Sequence, residues 1–351
     1  MNAPNFSAKC CFALLSLSLL ALPQAGRAQN TAPDALPAPS QPSLNVPEMQ
    51  ASPSGEGLVI ARAKENFAEL TLKGSELKAF DPLLGSREVR PTFTRELLQV
   101  RWRPNDPIDL YVVMPVGVKN PPVVLYLYGF PTDTDRFKND AWCERVTQSG
   151  AAAVGFVSAL TGQRYNFRPF KENFISELPE ALTTSVHDIP MVLNYLESRH
   201  DLDMTRVGFF GQGSGGAIGI LAASVEPRIR ALDVLAPWGD WPDWFAGATI
   251  VPKQERATYV EAAFQAPLQR MDPLNYLPLL TGIPVRAQFL DDSGDPLAAI
   301  QKLKNAAPSH ATVAEFRSSR QAYQTNSGGK LYEWIAEQLK ARPAVQGSPG
   351  Q

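Results

Sequence analysis

Cysteine and histidine are almost missing from this chain, which has three of each in 351 residues. Three cysteines cannot build a disulfide framework, and two of them, Cys10 and Cys11, fall in a segment read below as removed. No two histidines share metal-ligand spacing and Cys143 has no partner, so neither a metal site nor a cofactor is expected. Charge of one sign is lacking too. The net charge is −2 with no long basic run, which leaves no electrostatic footprint for nucleic acid and no polybasic membrane patch. The apolar run Cys11–Leu22 falls short of the ~20 residues that a bilayer span needs. What remains, 44% hydrophobic and 19% charged residues, is ordinary for a folded globular domain and excludes wholesale disorder, collagen-like repetition and coiled coil.

Lys9, the apolar run and the small residues of QAGRA make residues 1–28 an export signal cleaved after Ala28. The mature chain then works in the periplasm or outside the cell, with no membrane span. Cleavage leaves 31 basic against 35 acidic side chains, and Cys143 alone, so no internal disulfide can form. Residues 29–55 carry six prolines and little apolar periodicity, the composition of an extended, disordered tether. Residues 56–94 read as an N-terminal extension packed on the fold, 95–341 as one domain and 342–351 as a disordered tail.

The segments 95–102 and 108–115 flank a turn signal and read as an antiparallel hairpin. Continuous apolar runs at 123–130, 151–158 and 206–211 read as strands buried on both faces. The strand series continues at 229–237, 284–292 and 311–319, with helices at 187–200, directly after 211, and at 256–268, 297–306 and 327–340. Strands separated by helical crossovers imply a twisted parallel sheet covered on both faces; the hairpin makes it mixed, with about eight strands.

The strand, glycine turn and helix in RVGFFGQGSGGAIGILAAS (206–224) resemble the nucleophile elbow of the α/β-hydrolase superfamily. The helix and linker HDIPMVLNYLESRHDLDMTR before it, and DPLNYLPLLTGIPVRAQFLDDSGDP after it, resemble the dienelactone hydrolase and acetyl xylan esterase-like branch. The resemblance covers about 95–341. It implies an α/β-hydrolase fold and, in an intact member, a Ser-His-Asp triad for ester hydrolysis.

Set against the elbow pattern Gly-x-nucleophile-x-Gly, Gly211 and Gly215 take the small positions, Gln212 and Ser214 the free ones, and Gly213 falls where the serine belongs. Glycine accepts the positive φ of that turn, so the replacement keeps the elbow and deletes the nucleophile. Ser214 is either a polar residue in the first turn of the helix or a substitute nucleophile. The resemblance places the base in the loop after the last strand, yet 318–329 has no histidine. His187 reads as opening the helix before the elbow, His200 as closing it, and His310 as a loop residue. Asp295 matches the position of the acid, or is a turn residue before Pro296.

The loop after strand 123–130 has Tyr128-Gly129 where relatives often have His-Gly. Gly129 keeps the turn and its backbone donor available; Tyr128 closes a pocket or merely packs. Trp238, Trp241 and Trp244, half of the tryptophans, follow strand 229–237 and form either a wall of the pocket, with Gln212, or a hydrophobic plug. Two functions compete: an exported, degenerate relative that binds a small ligand or a protein partner, or an exported carboxylic ester hydrolase that uses Ser214 with an unidentified base.

Overall fold

The computed structural model describes residues 64–104, 106–130, 134–160, 164 and 174–340. The expected signal (1–28), tether (29–55) and tail (342–351) lie outside the described residues. The strands are β1 (Leu83–Val89), β2 (Phe93–Arg103), β3 (Asp106–Pro115), β4 (Pro122–Leu127), β5 (Ala152–Phe156), β6 (Asp203–Gln212), β7 (Ile229–Leu235), β8 (Val285–Leu290) and β9 (Thr312–Phe316). The helices are α1 (Asp140–Thr147), α2 (Leu178–Arg199), α3 (Ser214–Val225), α4 (Trp241–Gly247), α5 (Arg256–Tyr259), α6 (Ala262–Gln269), α7 (Pro273–Tyr276), α8 (Leu297–Ala306), α9 (Ser319–Thr325) and α10 (Lys330–Gln338).

The nine strands form a single mixed sheet in the order β1-β2-β3-β5-β4-β6-β7-β8-β9. β1, β2, β3 and β5 pair antiparallel in succession, and from β5 through β9 every pairing is parallel. The chain runs from β4 outward to β5 and then back to β6 on the other side of β4. The order therefore reverses at β4, and in open α/β sheets the crevice beyond the carboxyl ends of strands at such a reversal is where sites form. The elbow leaves from β6, directly beside it.

Alternation along the strands sends side chains to two cores. Val123, Leu125 and Leu127 of β4 meet Phe209 of β6 and Ile189, Ile218 and Leu221 of α2 and α3 on one face. Val124, Tyr126 and Tyr128 meet Phe210, Trp142 of α1 and Ile335 of α10 on the other. This period-two split, with both faces covered, is what the unbroken apolar runs imply.

Four details differ from the sequence reading. β1 is a ninth strand, in the stretch read as an extension; its exposed residues and a register shift at Gly85 hide the alternation. The helix read as starting at His187 begins at Leu178, because Pro179 sits in the first turn, where a missing N–H costs nothing. The segment 256–268 is two helices, α5 and α6. The last strand ends at Phe316, and 319–325 forms α9.

An ion network ties the N-terminal segment to the sheet. Arg103 of β2 bonds Glu65 and Asp188, Arg164 bonds Asp106 and Asp188, and Trp102 donates its indole N–H to Asp188 at 2.8 Å. Asp188 is fully buried in α2. Its burial pushes the carboxyl up, but the Arg103 and Arg164 guanidiniums outweigh this and hold it below the usual carboxylate range. Among the described residues no helix is long and apolar enough to cross a membrane.

Candidate functional site

β6 ends at Gln212, and the chain turns through Gly213 into α3 with φ 56° and ψ −119° at Gly213. That backbone state is costly for any residue with a Cβ. Space fixes the two flanking glycines as well: a Cβ on Gly211 would overlap the Gly215 carbonyl, and one on Gly215 would overlap the Leu127 carbonyl at the end of β4. A Cβ on Gly213, in contrast, would meet only Gly129 Cα at 3.5 Å and Trp238 Nε1 at 3.5 Å, ordinary contacts. Gly215→Ala is accordingly expected to lower unfolding free energy by about 1–3 kcal/mol, because a backbone carbonyl must move. Gly282→Ala, which faces open space, should stay within ~0.5 kcal/mol. Urea unfolding of the two variants gives the comparison, and equal stabilities would refute the close packing at Gly215.

Ser214 is the first residue of α3 and is 1% exposed. Its Oγ turns to the neighbouring loop and accepts the Phe130 N–H at 2.9 Å. The hydroxyl therefore occupies the backbone donor that follows Gly129. Gly129 itself lies against the turn, with a Cβ there 3.4 Å from the Gln212 carbonyl. Gln212 is half-buried at the strand end.

None of the three histidines stands at this end of the sheet with a free ring. His187, correcting the reading that it opens α2, sits in mid-helix and is fully buried. Its Nδ1 lies 2.6 Å from Glu65 Oε1 and its Nε2 2.7 Å from the Glu69 carbonyl. His200 caps α2 in a left-handed conformation just before β6, and His310 bonds the Ile283 carbonyl just before β9. Both are at the amino ends of parallel strands, opposite the elbow.

The acid position divides between two residues. Asp295 accepts the Trp244 indole N–H at 2.8 Å, and burial pushes its carboxyl up. The residue that reaches the loop after the last strand is Asp292, which the sequence reading passed over. Its Oδ1 accepts from Ser319 N at 2.7 Å and from Ser319 Oγ at 2.9 Å. Between Asp295 and the elbow stands an indole pair. Trp244 packs on Trp238 with ring centroids 4.7 Å apart, and Trp238 in turn borders Gly213.

The pocket readings of the aromatic residues need correction. Tyr128 is buried, and its hydroxyl joins Trp142 Nε1 at 3.0 Å and Tyr332 Oη at 3.2 Å in the core opposite α3. Trp241 and Trp244 are completely buried, with the Trp241 indole donating to the Met271 carbonyl, so they form a plug and not a wall. A large apolar ring gains most from full burial once its N–H finds a partner, as these two do. Trp238 alone borders the turn. Lys302 of α8 holds Asp240, just before α4, and Asp243 of α4 at 2.8 and 2.9 Å.

No family model and no curated protein matches the chain. Solved structures do. Acetyl xylan esterase 1 from Thermoanaerobacterium sp. JW/SL YS485 superposes with a TM-score of 0.53 at 16% identity, over 74% of this chain and 90% of that one. Acetyl xylan esterase from Paenibacillus sp. R4 gives 0.55 at 14% identity, over 75% and 90%. An S-formylglutathione hydrolase from Agrobacterium tumefaciens gives 0.51 at 13% identity, over 73% and 99%. The fold is that of the α/β-hydrolases.

Within this α/β-hydrolase fold no histidine stands among the described residues at the turn. Nucleophilic catalysis by a serine needs a group that takes the hydroxyl proton and returns it to the leaving group. Beside the turn at the carboxyl ends of β4 and β6 stand the half-buried Gln212, the Ser214 hydroxyl already bonded to the Phe130 N–H, and the Trp238 indole. Among the described residues no three His, Cys, Asp or Glu side chains cluster so as to hold a metal ion.

Proposed function

We propose that the chain is an exported α/β-hydrolase-fold protein that has lost its Ser-His-Asp triad and serves as a non-catalytic binding or scaffold module for a small ligand or a protein partner. The observation that carries this is the line from Gly213 through Trp238 and Trp244 to Asp295, in which indoles stand between the elbow and the acid. Indoles donate a hydrogen bond and take no proton at neutral pH, so they cannot replace an imidazole. Export rests on the N-terminal pattern of Lys9, the apolar run and Ala28.

A second reading, an exported carboxylic ester hydrolase using Ser214, draws support from the names of the solved neighbours, which are esterases. Against it stand the 1% exposure of Ser214 and its bond to Phe130. One mass-spectrometric experiment weighs both: the native exported protein is treated with a fluorophosphonate probe and its peptides are mapped. The expected result is an N-terminus at Gln29, no labelled serine, and negligible turnover of short acyl esters that Ser214→Ala leaves unchanged. Labelling at Ser214, with turnover abolished by Ser214→Ala, would establish the hydrolase reading instead.

A further inference from the structure

His187 lies away from the elbow and enters neither functional reading, yet its ring is fully buried with an acceptor at each nitrogen. Nε2 is 2.7 Å from the Glu69 carbonyl, which accepts and never donates, so this nitrogen carries a proton. Nδ1 is 2.6 Å from Glu65 Oε1. The same carboxylate is gripped by both arms of the Arg103 fork, at 2.7 and 2.8 Å. Burial pushes the Glu65 carboxyl up, but the bonds from Arg103 and His187 outweigh this and hold it below its ordinary value, so it is ionised. An ionised oxygen at that distance demands a donor, and Nδ1 must carry a proton too. The ring is a buried imidazolium.

Charge balance gives the same answer independently. Glu65, Asp106 and Asp188 share one network with Arg103 and Arg164, three acids against two arginines. The side chains of Glu65, Asp188 and Arg164 are at most 3% exposed. A doubly protonated His187 is the third cation. Without its second proton the cluster would hold one buried negative charge in excess, which is costly. The other neighbours leave this balance as it is. Phe67 stacks on the ring at 6.3 Å from the N-terminal side, and Asp188, next to it on α2, is held by its two arginines. The Glu69 carboxylate acts on Tyr276 of α7, whose hydroxyl donates to the Arg270 carbonyl.

The contacts that fix residues 65–70 to the domain converge on this ring. Glu65 and the Glu69 carbonyl meet it directly, the Phe67 carbonyl accepts from Thr183 of α2 at 3.3 Å, and Leu70 is buried in the core that α2 shares. We propose that His187 is a proton-dependent latch: its imidazolium clasps residues 65–70 to α2, and loss of one ring proton as pH rises releases them. A neutral ring turns a lone pair on either Glu65 or the Glu69 carbonyl, and two acceptors at such distances repel. Linkage sets the sign: a proton required by the clasped form alone favours that form at low pH and is withdrawn as pH rises. The acid side belongs to Glu65, whose protonation removes the charge that the imidazolium pairs with. The latch is the same whether the elbow is catalytic or not.

The test is a pH titration of the full-length chain labelled with 13C and 15N, followed by NMR. The His187 ring is assigned through bonds to its own backbone, and the exposed His200 and His310 serve as internal references. Wherever the amides of residues 66–70 keep their native shifts, both His187 ring nitrogens are expected to carry protons. As pH rises, the ratio of clasped to released segment should fall by up to about tenfold per pH unit, the slope of one linked proton, in step with loss of the Nδ1 proton. Glu65→Gln, which removes the carboxylate charge, should weaken the ring's affinity for its second proton by about tenfold or more. In His187→Gln the ratio should no longer depend on pH above the carboxylate range. A single ring proton while the segment is clasped, native amides after the second proton has gone, or an unchanged proton affinity in Glu65→Gln would overturn the latch. The native titration requires no variant, so it decides even where Glu65→Gln and His187→Gln fail to fold.

Discussion

Asp188→Ala is expected to lower the unfolding free energy by ~3–5 kcal/mol, because it strips the shared counter-ion from two guanidiniums and leaves them buried. Both oxygens of Asp188 are committed, one to Arg103 and the Trp102 indole, the other to Arg164. Its side chain is fully buried, and that of Arg164 is 3% exposed. Neither cation can recover its hydration without opening the packing between α2 and the β2–β3 hairpin. Glu65 sits in the same network, so the N-terminal segment should loosen in the same variant.

The network also sets a sign for pH. Burial pushes the Glu65 carboxyl up, but bonds from Arg103 and His187 hold it below its ordinary value, and Asp188 is lowered by its two arginines. A carboxylate lowered in the folded state binds fewer protons there than in the unfolded chain. It contributes stability that is present above the ordinary carboxylate range and lost as pH falls through the folded value. The urea midpoint of the native protein should therefore drop steeply below about pH 4, and Asp188→Asn should start lower and show a shallower drop. A loss under about 1 kcal/mol in Asp188→Ala would show that the network is solvated and the burial argument wrong.

Much of the scaffold was legible in the sequence, because it rests on local signals. A turn signal marked the β2–β3 hairpin and continuous apolar runs marked β4, β5 and β6, and the spacing of Gly211, Gly213 and Gly215 fits a turn in which two glycines face carbonyls and the third takes positive φ. β1 was missed because all its side chains face outward or are half-exposed, so no alternation marks it. The ion network was illegible for another reason: Glu65 and His187 are separated by 122 residues, and pairing at that distance is decided by topology alone. The turn DDSGDP offered three carboxylates. Only the fold distinguishes Asp292, which reaches Ser319, from Asp295, which Trp244 holds. The tryptophan loop was readable as covering the turn, but not which ring borders Gly213 and which two complete the core.

Gly213→Ser should leave ester turnover within tenfold of the native background, and a combined variant, Gly213→Ser with Trp238→Ala and Ser319→His, should exceed it by at least ~10²-fold, the usual lower reach of a positioned general base. A serine Oγ at 213 would lie beside Trp238 Nε1, which would donate to it and engage the lone pair that must attack. It would also keep its proton, since no imidazole faces it. Trp238→Ala clears the indole, and histidine at 319 stands where Asp292 already bonds the residue, so the carboxylate could orient the ring. The single variant should cost ~1 kcal/mol of stability from the strained backbone, which circular dichroism and urea unfolding would register separately from turnover. Backbone donors and substrate binding can sustain a faint rate without a triad, so the ratio between variants, not the background, decides. Turnover restored in full by Gly213→Ser alone would mean that a base already faces the elbow. The indole pair would then be packing beside a site that lacks only its nucleophile.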